Sequence, residues 1–400
     1  MVGWAVLADS VPIYPLYALL FADTGLSVAQ ISALFAIWSA VGVLAEVPSG
    51  VLADRFSRRG CLVAAGLLQA IGYVGWILLP GFPGFAVGFV LWGLGGALVS
   101  GAQEALLYDG LAAVGEQEQY ARINGWVSAG GLVGQFPVAL AATALYAAGG
   151  FPLVGWVSVG VCLAAALFAA RLPEPPRTAV PDTAVPNDTV PDDTVPNDTD
   201  PDDTDPDDEL GYLATLRAGL VEASSRPGVP ALLVAAALIG GFDAVEEYFP
   251  LILADWGLPT AIIPLAALPI VLAGVLGAAM AGSANRLRPG SLAILLGVAM
   301  VLFGAAGLVA QPAGIAAVAV FYGTHRAVLV VVDARLQDRI DSRSRATVTS
   351  VAGLGAELAT FGLYGAWVLG EVPLLAVFGV LLALALPRLL RAPPARVGGG

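Results

Sequence analysis

The 400-residue chain contains no lysine, a single histidine and two cysteines, and only 12% of its residues are charged. A soluble globular chain carries about 25% charged residues, so this one lacks the polar groups to cover a water-facing surface. With arginine the sole strong base and no basic stripe along the chain, a nucleic-acid partner is excluded. Cys61 and Cys162 sit in separate apolar stretches and read as small buried hydrophobes, not as a disulfide or zinc framework. The chain has no Walker-type phosphate loop, no nucleophile elbow and no H-E-x-x-H pattern. An enzyme is therefore not expected, and neither is a metal or another cofactor.

Apolar residues make up 58% of the chain, which places it in the membrane. Twelve stretches are long enough to span a bilayer: 4–22, 29–52, 61–79, 83–108, 124–147, 152–170, 229–253, 261–284, 291–309, 313–333, 344–369 and 372–390. They fall into two groups of six, and abundant glycine and alanine suit close helix packing in lipid. Seventeen of the 18 arginines lie between stretches 2 and 3, 4 and 5, 6 and 7, 8 and 9, 10 and 11, or after stretch 12, counting Arg345 and Arg388 at the very ends of stretches 11 and 12 on that same side. The opposite loops carry none, so the arginine-rich face is predicted to be cytoplasmic, with both termini on that side of a cell membrane. The exception, Arg326, lies inside stretch 10. No cleavable leader is expected.

The net charge of −13 is nearly all in one place: residues 173–210 hold 13 of the 31 acids and one arginine. That segment repeats units such as PNDTV and PDDTD and cannot bury enough apolar surface to fold. The expected organisation is a six-helix bundle over 1–172, a disordered acidic cytoplasmic linker over 173–209 and an amphipathic juxtamembrane segment over 210–228. A second six-helix bundle over 229–392 and a cytoplasmic tail over 393–400 complete it.

The two halves resemble each other. Asp54-Arg55 after stretch 2 corresponds to Asn285-Arg286 after stretch 8, and Ser100 to Asp109 corresponds to Thr324 to Asp333. Paired six-helix halves are the trace of a transporter built from repeats. The loop Gly50-Val51-Leu52-Ala53-Asp54-Arg55-Phe56-Ser57-Arg58-Arg59-Gly60 matches the signature G-x-L-a-D-r-x-G-r-[KR] apart from Ser57 and one trailing residue. On these residues the chain resembles the major facilitator superfamily. The resemblance implies an all-α fold of twelve transmembrane helices in two bundles, with helices 1, 4, 7 and 10 around a central cavity. It also implies that Gly50, Asp54, Arg55, Arg58 and Arg59 belong to a loop that braces the two halves in one conformation. The helix-4 arginine of proton-coupled drug exporters is replaced by Phe89, and their helix-5 proline pattern is out of register at Pro137.

A charge inside a membrane span costs roughly 2.5–3.5 kcal/mol on insertion, so such residues are functional candidates. Asp243 in stretch 7 and Arg326 in stretch 10 each lie about 20 Å deep at 1.5 Å per residue, near the midplane. Arg326 requires an acid partner, with Asp243 and Glu357 of stretch 11 as the two choices. His325 is expected to point about 100° away from Arg326 along the helix. Glu246 and Glu247 follow on stretch 7, and Asp243 and Glu247, four residues apart, are expected to share a face. Asp9, Tyr14 and Tyr17 in stretch 1, Trp92 and Ser100 in stretch 4, and Gln135 in stretch 5 are the binding candidates of the first half. Asp54 is expected to cap the third stretch or pair with arginines, and Glu104 and Asp109 to pair with Arg122 or the Arg58 region.

The functional expectation is secondary active transport of a small solute by alternating access, with proton-coupled efflux of a cationic or neutral amphipathic compound as the specific form. The protein is expected to be a monomer contacting lipids, its small-molecule substrate and protons. Two alternatives stay open: a facilitator or symporter for a small organic nutrient, and a membrane sensor that keeps the fold without transport.

Overall fold

The computed structural model describes residues 1–55, 57–174, 228–340 and 345–391. Most of the acidic linker, the amphipathic segment up to residue 227 and the tail from 393 lie outside the described residues. Among the described residues every regular element is helical. The first half holds α1 (Val2–Asp9), α2 (Tyr17–Asp23), α3 (Val28–Arg55), α4 (Arg58–Leu78), α5 (Phe82–Ala113) and α6 (Tyr120–Ala169). The second holds α7 (Val229–Gly241), α8 (Phe249–Asp255), α9 (Ile263–Ala284), α10 (Pro289–Val309), α11 (Ile315–Gln337) and α12 (Arg345–Leu389).

Nine helical spans among the described residues are long and apolar enough to cross a membrane. Two of them contain a joint that divides each into two helices: Gly149–Gly150 in α6 and Gly370–Glu371 in α12. Gly150 has φ 62°, open to glycine, whereas Glu371 has φ 45°, a conformation that costs a residue with a Cβ. Dividing at these joints and adding the interrupted first stretch brings the count to the expected twelve. Large apolar side chains such as Leu44, Leu308 and Leu369 are exposed at 75%, 75% and 81%, as lipid-facing positions require.

Two expected helices are not continuous. Stretch 1 breaks between α1 and α2, because Pro12 and Pro15 supply no N–H to a helical ladder. The unwound backbone is satisfied locally: Ile13 N–H donates to Ser158 Oγ of α6 at 3.0 Å. Stretch 7 breaks at the matching place in the second half, where Phe242–Tyr248 forms a 3-10 turn between α7 and α8. Pro250 cannot donate to the carbonyl of residue 246, and Gly241 lies so close to α12 that a Cβ there would stand 2.5 Å from the Cβ of Ala359.

The halves meet at the arginine-poor face. There α2 packs on α8, Ser32 Oγ and Tyr248 Oη share a hydrogen bond of 2.8 Å, and Ser39 Oγ and Tyr364 Oη one of 3.4 Å. Phe35 of α3 lies edge-on to Tyr248 at 5.4 Å and beside Tyr364 at 5.9 Å. Among the described residues these are the hydrogen bonds and ring contacts that join the two halves. A buried cluster runs through this seam, and Cys162 lies in it; Cys61 belongs to a smaller cluster at the other end of the first half. Both side chains are buried.

Candidate functional site

The 3-10 turn alters which acids share a face. With three residues per turn, positions i and i+3 eclipse, so Asp243 aligns with Glu246 and not with Glu247 as a regular helix would have it. Arg326 Nη1 of α11 donates to Asp243 Oδ2 at 2.5 Å. Tyr322 Oη, one turn away on α11, donates to Glu246 Oε2 at 2.5 Å. His325 does not point away from this group. Its Nε2 approaches Asp243 Oδ1 to 3.4 Å without forming a hydrogen bond, and its ring is buried. Asp243 therefore has one full ionic partner and one polar neighbour, while both it and Arg326 stay about one-third exposed.

Glu247 faces elsewhere. It lies within electrostatic range of Tyr248 and Tyr364, the two tyrosines of the seam, and has no hydrogen bond or ion pair among the described residues. Glu357 is not the partner of Arg326. It lies on α12 within electrostatic range of Glu46 of α3, across the division between the halves. The helix that carries it faces α3 as well as α7, and the arginine is already taken by the nearer carboxylate on the unwound turn.

In the first half, Asp9 ends α1 beside the break and is exposed, so it does not cap the arginine-rich end of that stretch. A Cβ at Gly131 of α6 would stand 2.8 Å from its Oδ2, so the glycine leaves room for the carboxylate. Tyr14 lies in the unwound stretch and stacks on Trp92 of α5 at 5.1 Å with rings 4° apart. Trp92 in turn stacks on Phe89 at 5.6 Å. Tyr17 is buried, edge-on to Phe35, Phe89 and Trp92, and belongs to the core. Ser100 and Gln135 are exposed and are not brought together with any other candidate.

At the arginine-rich face, Arg58 pairs with Asp109 of α5 as expected. Arg122 instead lies over the ring of Trp126 at 4.6 Å. Gly50, Asp54 and Arg55 end α3, and the side chains of the latter two lie outside what the structure describes. Ser57 caps α4: its Oγ accepts from Gly60 N–H at 2.8 Å. Ser57 also donates to Glu174, which lies 3.7 Å from Arg59 Nε. Glu174 escaped the reading of the sequence because it sits at the start of an acidic run that hides one specific carboxylate among many. Partial burial pushes its carboxyl up, but the Ser57 hydroxyl, the backbone N–H groups of Arg59 and Arg58 and the Arg59 charge outweigh this and hold it below the ordinary range. A depressed folded-state value means stability present above the unfolded value of 4.5 and lost as pH falls through the folded one. Wild type is therefore expected to lose more thermal stability than Glu174→Gln between pH 7 and pH 3.5; equal losses in detergent melts would remove Glu174 from this network.

Sequence reasoning named all three acids of the unwound turn but not Tyr322. Tyr322 is one helical turn before Arg326, and a polar ring at that spacing inside a span was the available signal.

Residues 1–363 match the sequence pattern of the Major Facilitator Superfamily. No curated protein matches the chain by sequence. Among solved structures, the nucleoside transporter NupG superposes with a TM-score of 0.72 at 12% identity, covering 98% of each chain. The D-xylose–proton symporter gives 0.64 at 16% identity, covering 96% of this chain and 95% of its own. A bacterial homologue of the human lysosomal transporter Spinster, inward-facing and occupied, gives 0.65 at 18% identity, covering 97% and 90%. These identities speak for the fold alone. Together with the pattern over most of the chain and two six-helix halves, they show a multi-pass membrane transporter, not an enzyme, that belongs to the major facilitator superfamily.

Proposed function

We propose that this transporter exports a cationic or neutral amphipathic solute from the cytoplasm in exchange for protons, with both termini cytoplasmic in the cell membrane. The observation that carries this reading is the excess of carboxylates on the unwound turn. The turn carries three carboxylates, Asp243, Glu246 and Glu247, and among the described residues a single guanidinium, that of Arg326, pairs with one of them, Asp243. A site of low dielectric does not hold such an excess without protons or a bound cation. Asp243 is neutralised by Arg326, and Glu246 accepts from a neutral phenol. Glu247 has neither, so it is the leading proton carrier and Asp243 the second. The stack of Tyr14, Trp92 and Phe89 supplies an apolar wall beside the first break, suited to the body of an amphipathic solute. In this orientation the seam that joins the halves is on the outer side, in keeping with a carrier closed to the exterior.

Phe89 supports a second reading, a facilitator or symporter for a small organic nutrient. It is fully buried among rings where drug exporters that run on protons carry arginine. The deciding measurement is solute flux in proteoliposomes under an imposed pH gradient. Wild type is expected to respond to the gradient, Glu247→Gln to lose the response and Asp243→Asn to lose most of it. Flux that ignores the gradient in wild type leaves the facilitator; gradient-driven uptake in the opposite direction leaves the symporter.

A further inference from the structure

The arginine-rich face of the second half carries a cleft of about 500 Å³ where the ends of α9, α11 and α12 approach the start of α10. Three arginines line it, Arg335, Arg339 and Arg391, against one acid, Asp338. Among the described residues none of the three arginines has a carboxylate within ion-pair distance. Arg335 is spent partly on structure: its Nε donates to Asn285 Oδ1 at 3.1 Å, and its Nη2 donates to the carbonyls of Asn285 and Leu287 at 3.0 and 2.9 Å. Arg339 Nη2 donates to the Leu390 carbonyl at 3.3 Å, while its Nη1 is buried with no hydrogen-bond partner among the described residues.

A buried guanidinium nitrogen without an acceptor is rare in folded proteins, because its desolvation is not repaid. Here it is accompanied by two further guanidiniums and an open space large enough for a ligand. The missing partner is therefore an anion. Guanidinium forks match the oxygens of a phosphate group, which accept two parallel bonds. The start of α10 at Pro289 lines the same cleft and adds the positive end of a 21-residue helix. Pro289 and Leu390 supply apolar edges beside the charges, and the cleft lies at the ends of four apolar spans.

We propose that this cleft binds a phosphate-bearing anion, held by Arg335, Arg339 and Arg391. The group arrives either as the headgroup of an anionic lipid or as a free phosphate. The test uses the purified full chain in detergent, titrated with short-chain phosphatidylglycerol, phosphatidylcholine of equal chain length, inorganic phosphate, and sodium chloride at matched ionic strength. Bound ligand is counted by native mass spectrometry and followed by the melting temperature. Wild type is expected to bind phosphatidylglycerol at least tenfold more tightly than Arg339→Gln/Arg391→Gln, with phosphatidylcholine far weaker. Saturable binding of inorganic phosphate at the same arginines identifies a free phosphate as the source; its failure beside tight phosphatidylglycerol binding identifies the lipid. Because the double variant can lose stability, Asp338→Asn provides an independent arm: removing the one negative charge of the lining is expected to tighten binding about threefold or more. Equal binding of phosphatidylglycerol by wild type and the double variant, no tightening in Asp338→Asn, or equal effects of the two lipids would overturn the proposal.

Discussion

Arg326→Ala is expected to destabilise the protein by about 3 kcal/mol and to abolish solute flux. Removing one partner of a buried ion pair costs about 3–5 kcal/mol, and the low end applies because both groups are about one-third exposed. The arginine leaves Asp243 with only His325, at 3.4 Å and outside hydrogen-bond geometry. Repulsion between Asp243 and Glu246, stacked by the 3-10 turn, is then unopposed. Asp243→Asn/Arg326→Gln removes both charges together and is expected to recover most of the melting temperature without recovering flux. Melts in detergent and flux in proteoliposomes separate the two effects. A single variant that folds and transports as wild type would show that the central pair is not a site.

Gly277→Val is expected to be the most damaging change away from the charges, costing about 3 kcal/mol or more by overpacking. A Cβ at Gly277 of α9 would stand 1.9 Å from the Gly323 carbonyl oxygen of α11, and one at Gly323 would stand 2.7 Å from the Ala273 carbonyl oxygen. Backbone meets backbone here, so no rotamer change relieves the clash and the helices must separate. The consequence reaches the site, since α11 carries Tyr322 and Arg326, and Gly274 one turn earlier packs against both side chains. Flux is expected to fall with stability, and Gly277→Ala to show the same effects at smaller size. A wild-type melting temperature in Gly277→Val would contradict this packing.

The fold was legible because its signals are long-range averages. Apolar runs, the one-sided arginines and the repeated loop each draw on many residues, so no local irregularity erases them. The ion pair between Arg326 and Asp243 was legible for a related reason: a charge at the midplane has few alternatives. What failed depended on local backbone geometry. Reading stretch 7 as a regular helix paired Asp243 with Glu247, whereas the 3-10 turn eclipses Asp243 with Glu246. The cause was visible in Gly240-Gly241 and Pro250, as Pro12 and Pro15 were in stretch 1. Breaks at the same place in two repeats point to a binding region more directly than any single charge. The ties of Glu174 and the sharing of Glu46 and Glu357 arise between residues far apart in sequence, and no spacing rule reaches them.

The paired interruptions also fix how force can travel through the protein. Each of the two short pieces beyond a break, α2 and α8, has seven residues and is thus about 10 Å long. They pack on each other at the seam, while α1 and α7 remain embedded in their own bundles. A rod hinged at its middle transmits bending poorly. The pair α2–α8 is therefore able to tilt as one short lever while the longer arms stand still, and the hinge of that lever on the second half is the turn bearing the three carboxylates.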